Sequence, residues 1–357
     1  PGVKDTNGFT RQNWFEPVGK ECKMLREKAG IIDISNFAKY VVQGKKGRDW
    51  LDAVFANKMP TEVGRSCLTP LISRRGGLAG DFTVTLIAQD EYWIFGSGMA
   101  ERYHKRFFDS VPLPEGVSFD SRTEAVCGFN LAGPLSRKIL QRLTNTSLNN
   151  EDFQFMRSKR ADLAGIDVKM LRVSFTGDLG WEVHCNTADQ KALYTALLET
   201  GKEFGVGPVG SRALMAMRVE KGYGSWSREY SPEYWPHEQG MDRLCKMDKD
   251  FLNKAALQAV LAQEPREQMV LLHLNEAAVT ASNADATGGE PVFKDGNGVG
   301  RVTSGAYGYS VGLSLALAMV KDVGPGDEVE VMVLGQPHKA KILHQPPFDP
   351  TGKKLRA

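Results

Sequence analysis

The sequence lacks a surplus of charge of either sign: 45 basic and 43 acidic residues leave a formal net charge of +2. No global field then recommends a nucleic acid or an anionic membrane as partner, and a small molecule is the better expectation. Cysteine is scarce. Cys22, Cys67, Cys127, Cys185 and Cys245 are far apart, form no CxxC pair and are odd in number, which argues against a disulfide framework or a zinc site and for buried free thiols in a reducing compartment. Long apolar runs are missing too. The longest, 311–320, contains Gly312 and Ser314 and is too short to cross a bilayer. The first residues include Lys4, Asp5, Asn7 and Arg11 and offer no apolar signal-peptide core, so a cytoplasmic location is expected. His104, His184, His237, His273, His338 and His344 are scattered without metal-ligand spacing, and there is no P-loop, HExxH or GxSxG; no metal site is expected.

What is present is a composition 41% hydrophobic and 25% charged over 357 residues, that of a folded protein with two or three domains. Apolar spacing predicts helices through Cys22, Leu25 and Ala29, through Trp50, Leu51, Val54 and Phe55, and through Leu193, Ala196, Leu197 and Phe204. Strand-like runs at 82–87, 92–95 and 168–175 lie between them. From Met269 onward, β-branched and leucine-rich runs alternate with turn chemistry, Asp295-Gly296-Asn297-Gly298 and Gly324-Pro325-Gly326-Asp327, which fits a small antiparallel barrel. The polar, alanine-rich segment 253–267 is the expected link.

One formal dinucleotide fingerprint occurs, Gly205-Val206-Gly207-Pro208-Val209-Gly210. It follows a helix and carries a proline where the phosphate-binding turn should open, so it reads as a helix-ending loop. Two acids stand out because glycines crowd them. Arg75-Gly76-Gly77-Leu78-Ala79-Gly80-Asp81-Phe82-Thr83-Val84 delivers a carboxylate at the start of an apolar strand, and Thr176-Gly177-Asp178-Leu179-Gly180-Trp181-Glu182 sets Glu182 among apolar neighbours. Either alone reads as a hairpin with a solvated acid; together they suggest a ligand site. The loop from Tyr223 to Pro236 concentrates Trp226, Tyr230, Tyr234 and Trp235. It is either a rigid packed loop or an aromatic cage for a methylated cation, each ring contributing roughly 0.5–2 kcal/mol.

At these residues the chain resembles the folate-binding family typified by the glycine cleavage T-protein, and resembles still more the folate-binding region of dimethylglycine and sarcosine dehydrogenases. The resemblance runs from Asn13-Trp14-Phe15-Glu16-Pro17 and Gly30-Ile31-Ile32-Asp33-Ile34-Ser35 through both glycine turns, Ala132-Gly133-Pro134 and Met217-Arg218-Val219-Glu220-Lys221 to Thr303-Ser304-Gly305-Ala306-Tyr307-Gly308-Tyr309-Ser310. It implies a three-lobed α+β fold, with two interwoven folate-binding lobes in residues 1–265 and a C-terminal antiparallel β-barrel in 266–357, around an opening for tetrahydrofolate.

By position, the resemblance implies that Asp81 stands beside the reacting folate nitrogens as the catalytic acid, with Phe82 and Thr83 lining the site. Glu182 is the acid that holds the pterin, whose adjacent amide N–H and amino group suit two carboxylate oxygens. Phe175, Val183, His184 and Arg243 complete the expected folate set. Phe175 replaces a family tyrosine, and Asp178 stands where glutamate is usual. The leading expectation is methyl transfer from a small onium substrate such as glycine betaine, with Trp226, Tyr230, Tyr234 and Trp235 as substrate contacts, to N5 of tetrahydrofolate. The alternatives are the folate half of a flavin-dependent demethylating system, with a flavoprotein partner and methylene-tetrahydrofolate as product, and a folate-binding regulator without catalysis.

Overall fold

Two sheets, a barrel and the helices between them make up the computed structural model, which describes residues 8, 11–275 and 284–357. Lys4, Asp5 and Asn7 lie outside the described residues. The first sheet is antiparallel, in the order Ser66–Ile72, Leu78–Ala88, Glu91–Gly96, Ala38–Gln43, Ser118–Ser121. The second runs Gly207–Pro208, Gly30–Asp33, Val126–Ala132, Gly180–Asn186, Ile166–Leu171, Ser158–Leu163, antiparallel apart from the first pair. Gly30–Asp33 belongs to the second sheet and Ala38–Gln43 to the first. The chain therefore crosses between the lobes and back, and neither lobe is a continuous stretch of sequence.

Helices form where apolar residues recur at helical spacing: Phe15–Glu27 buries Val18, Cys22 and Leu25, Gly47–Val54 buries Trp50, Leu51 and Val54, and Gln190–Lys202 buries Leu193 and Leu197. Gly205, at φ +66°, follows the last of these and leads into the short Gly207–Pro208 strand. The run expected at 168–175 leaves the sheet at Leu171. Arg172 is drawn off to the carbonyls of Phe153 and Ala357, each at 2.6 Å. The linking segment 253–267 is itself folded. It contains the helix Lys254–Leu261, which packs Leu257 and Val260 against Ile72, Cys245 and Phe251.

From Gln268 the chain closes a six-stranded antiparallel barrel, in the order Gln268–Leu274, Leu313–Val320, Asn297–Gly308, Pro291–Lys294, Glu328–Val333, Gln336–Ile342. Its strands alternate as the pleat requires: Val329, Val331 and Val333 face the interior while Glu328 and Glu330 face solvent. Most of the apolar run at 311–320 is the barrel strand Leu313–Val320, buried on both faces. The helix Ser211–Glu220 joins the parts, packing on Phe15–Glu27 through Ala213, Ala216 and Met217 and on the barrel through Ala306 and Tyr309. Its last turn is charged and paired: Arg26 bridges Glu220, at 2.6 Å, and Asp178, while Lys221 meets Asp349 at 3.2 Å.

Between the two sheets a shared apolar layer forms, with Val41, Trp93 and Phe95 of the first against Val126 and Leu171 of the second. The Thr85 and Ser158 hydroxyls hydrogen-bond across it at 2.5 Å. The candidate site is built on the strands that carry this layer.

Candidate functional site

Asp81 reaches its place through the turn Ser73-Arg74-Arg75-Gly76-Gly77. Gly76 has φ +79°, the Ser73 amide donates to the Gly77 carbonyl at 2.8 Å, and a Cβ on Gly77 would lie 2.4 Å from the Pro232 carbonyl oxygen. The turn is thus docked on the aromatic loop, and the Leu78 amide donates to the Tyr234 carbonyl at 3.1 Å. Beyond it, strand alternation puts Asp81, Thr83 and Thr85 on one face and Phe82 and Val84 on the other. The Phe82 ring is taken up by the lobe core, 5.3 Å from Phe55, 4.5 Å from His104 and 5.8 Å from Phe108. Its side chain does not share the Asp81 face.

Asp81 is partly open to solvent but hemmed in by protein, and among the described residues no cation pairs with it. Burial pushes its carboxyl up to about 6, against the opposing pull of a backbone hydrogen bond. The phenol of Tyr230 is raised, first by burial and then by the negative charge of Asp81, so the phenol feels that charge.

From Asp81 a short chain of contacts leads to Glu182. Thr83, two residues on, lies directly across from Phe95. Phe95 stacks on His184 at 4.5 Å and 28°, and Nε2 of His184 lies 3.5 Å from Oε2 of Glu182. Glu182 and His184 share one face of the strand Gly180–Asn186, while Val183 points the other way into the second lobe's core. Gly128 lies opposite His184 in the neighbouring strand, and a Cβ there would come within 2.5 Å of its Nδ1. Burial holds the His184 imidazole below its ordinary range against the pull of Glu182. Neither ring nitrogen has a hydrogen-bond partner in the described structure. An imidazole 3.5 Å away whose charged form burial disfavours leaves the carboxylate of Glu182 able to accept other donors.

The remaining wall comes from the loop after Ser211–Glu220. Phe175 stacks on Tyr223 at 6.0 Å and 21°. The Tyr223 phenol is raised chiefly by burial, while Arg356 and Arg243 pull it down. Arg243 is exposed and also acts on Tyr230. The structure thus joins Asp81, Thr83, Phe95, His184 and Glu182 along the seam, and beside them stand the Phe175–Tyr223 stack and Tyr230, whose phenols feel the charge of Arg243 and, for Tyr230, of Asp81.

The four rings expected as a cage do not meet. Trp226 packs on His104 at 5.7 Å and Tyr103 at 6.2 Å. Tyr230 lies over Gly224, where its phenol feels the Asp81 charge. Tyr234 is buried, with Arg301 donating to its hydroxyl, and Trp235 is capped by Arg266 at 4.0 Å and stacked on His237 at 5.6 Å. Two of the four faces are already covered by arginines.

Sequence reasoning passed over Lys39. It is fully buried, its ammonium donates to the Ser35 and Phe37 carbonyls at 2.9 and 2.8 Å, and burial lowers it to about 8, against the pull of charges that include Glu182. A lone lysine inside Ala38-Lys39-Tyr40-Val41-Val42 was the available signal.

A pterin presents two adjacent donors. Among the described residues Glu182 is a carboxylate with no lysine or arginine hydrogen-bonded to it, Phe175 and Tyr223 form an aromatic stack, and Asp81 is an acid without a cationic partner, so the residues fit a reduced folate. Residues 2–249 match the profile of the GCVT N-terminal domain and residues 268–349 that of the glycine cleavage T-protein C-terminal barrel domain. Mitochondrial dimethylglycine dehydrogenase of Mus musculus is 33% identical over 346 residues, which are 95% of this chain and 39% of that protein. A probable aminomethyltransferase of Thermococcus kodakarensis is 26% identical over 98% of this chain and 94% of its own length. The chain thus spans about two fifths of the dehydrogenase, as it does of human mitochondrial sarcosine dehydrogenase, at 41%. The fold matches the crystal structure of glycine cleavage system aminomethyltransferase T from Bartonella henselae with a TM-score of 0.84 and 20% identity, over 98% of this chain and 95% of that one. The chain belongs to the glycine cleavage T-protein family.

Proposed function

We propose that this chain accepts a one-carbon unit, derived from an N-methylated amine by a flavoprotein, onto tetrahydrofolate. Aminomethyltransferases of the family bind tetrahydrofolate, and the dehydrogenase relatives are proteins of which this chain matches only about two fifths. The observation that carries the reading is Asp81, an acid without a cationic partner and pushed up to about 6 by burial, set on the same inter-lobe face as Thr83.

When bound, tetrahydrofolate supplies nucleophilic nitrogens at N5 and N10. Glu182 holds the pterin end by accepting its paired donors. Attack of one of these nitrogens on an iminium or carbonyl carbon would release an amine or water, and the proton lost from the nitrogen would have to be carried to that leaving group. Asp81, titrating close to neutrality, can take up and return such a proton. The Tyr230 phenol feels the Asp81 charge, and the partial burial of that carboxyl strengthens each charge interaction. Alignment of carbon and nitrogen contributes roughly 7–11 kcal/mol in well-oriented reactions.

Direct methyl transfer from an onium compound such as glycine betaine is the less supported reading, because the four candidate rings point to separate places. The test is to incubate the protein with tetrahydrofolate and, separately, formaldehyde, an N-methylated amine with its flavoprotein, and methylated onium compounds, and to identify the folate product by mass. Accelerated formation of a methylene product supports the proposal. A 5-methyl product formed without a flavoprotein overturns it in favour of direct methyl transfer, and tight folate binding without any product overturns it in favour of a regulator.

A further inference from the structure

Glu229 is completely buried, and nothing in the chemistry above uses it. It nevertheless accepts hydrogen bonds from three parts of the chain. Arg218 Nη1, at the end of the helix Ser211–Glu220, donates at 2.9 Å, and the Ser225 amide of the site loop donates to the same oxygen at 3.0 Å. From the barrel strand Asn297–Gly308, Thr303 Oγ1 and Ser304 Oγ donate to the other oxygen at 2.7 and 2.5 Å. Arg218 is as deeply buried and also donates to the Tyr223 carbonyl at 2.9 Å and to Ser304 Oγ at 2.6 Å; its Nε alone has no hydrogen-bond partner.

Such a pair adds little net stability, because an apolar pair of the same volume does as well or better. What it adds is geometry. The segment it holds is one compact unit: the Tyr230 amide donates to the Ser225 carbonyl at 3.0 Å, the Ser227 amide donates to the Tyr230 carbonyl at 2.8 Å, and a Cβ on Gly224 would strike the Tyr230 ring at 2.6 Å. Fixing Glu229 therefore fixes Tyr230, the next residue.

We propose that Glu229 is a positioning residue: with Arg218 it clamps residues 223–230 to the barrel, and so fixes Tyr230 and the packing of this segment, through Trp226 on His104 and His104 on Phe82, against the strand that carries Asp81. The proposal rests on the reading of the Asp81 region as the folate site, but the clamp itself can be tested without folate.

The test variant is Glu229→Gln, which keeps size and an acceptor for Arg218 and Ser225 but deletes the charge that pairs with Arg218 and turns an amide donor toward the Thr303 and Ser304 hydroxyls. In the ligand-free protein, amide hydrogen exchange across 223–230 should accelerate about tenfold or more, the scale of a lost buried hydrogen bond, while 211–220 and the barrel strands stay protected. With tetrahydrofolate, kcat should fall about tenfold or more, as expected for a displaced active-site group. The folate Kd should stay within about twofold, since Glu182 is untouched. The limb of the kcat–pH profile belonging to Asp81 should move to lower pH, because water admitted to the carboxyl reverses the burial that raised it.

Unchanged loop exchange, or faster exchange with an unaltered kcat and pH limb, overturns the proposal. Thr303→Val removes a single donor and serves if Glu229→Gln does not fold; the same changes, smaller in size, are expected, and their absence is equally decisive. Should the wild-type protein fail to bind tetrahydrofolate, the folate reading falls, and the exchange data still judge the clamp.

Discussion

Nε2 of His184 lies 3.5 Å from Oε2 of Glu182, and the ring that carries it is stacked on Phe95 from the other lobe. The direction of the Glu182 carboxylate is thus tied to the seam between two sheets. Burial disfavours the charged form of His184, so the ring packs beside the carboxylate without bringing a strong compensating charge.

The first prediction follows from that free carboxylate. Glu182→Gln replaces one acceptor oxygen by a donor where the pterin brings two donors of its own. Calorimetric titration should show tetrahydrofolate binding weakened by roughly 1.5–3 kcal/mol, with little change in thermal unfolding. Wild-type affinity in a folded variant would remove Glu182 from the site.

The second concerns the room that His184 needs. A methyl on Gly128 would lie 2.5 Å from Nδ1, 2.8 Å from Cε1 and 3.3 Å from Ile34 Cγ1, and the ring, stacked and fully buried, cannot step aside freely. Gly128→Ala should cost about 1–3 kcal/mol of stability, as overpacking does, and should weaken folate binding by moving Glu182. Adding His184→Ala should relieve the clash, so denaturant unfolding of the double variant should be strongly non-additive. Additive losses would mean that the strand moves and the ring stays.

Much of this architecture was legible in the sequence because period and turn chemistry are local properties. The barrel announced itself through alternating runs and turns such as Asp295-Gly296, both at positive φ, and the helices through Leu25 or Leu193 at helical spacing. Asp81 and Glu182 were marked by glycines whose close approaches are now visible, as at Gly77. Side-chain direction was not legible. Phe82 adjoins Asp81 in sequence yet faces the opposite side, which alternation alone would have indicated once the strand register was known. Tyr234 and Trp235 were drawn from the cage by Arg301 and Arg266, partners 67 and 31 positions along the chain, which no local pattern reveals. The segment 253–267 was polar enough to read as a link, but its helix buries Leu257 and Val260.

The third prediction separates the four rings by their surroundings. Trp235→Leu and Tyr234→Leu should lower stability by about 1–3 kcal/mol through lost packing and leave KM for the one-carbon donor unchanged. Tyr230→Leu should instead lower kcat, because its phenol is coupled to the Asp81 charge. Trp226→Leu should alter neither strongly. Steady-state kinetics with thermal melts on the four variants decides this, and a large rise in KM for Trp235→Leu or Tyr234→Leu would restore the cage.

The last prediction concerns Asp81 and has a definite sign. Its folded-state carboxyl is raised to about 6 from a usual value of 3.8, so between those values the native protein binds more protons than the unfolded chain. Stability linked to this group is therefore greatest at low pH and is lost as pH rises through the interval from about 4 to about 6. Above it, the buried charge destabilises the fold by up to about 3 kcal/mol, less in proportion to the solvent that reaches the carboxyl. Asp81→Asn keeps the volume and deletes the charge. At pH 7.5 it should unfold at higher denaturant than wild type, and the advantage should shrink toward pH 4. The same variant should lose roughly a hundredfold or more in single-turnover transfer with both ligands saturating, on the scale of removing one charge stabiliser. Folate affinity should change far less, because Glu182 still holds the ring. Greater stability together with lost activity is the signature of a charge kept buried for chemistry; a variant of unchanged stability and full turnover would make Asp81 a turn residue and nothing more.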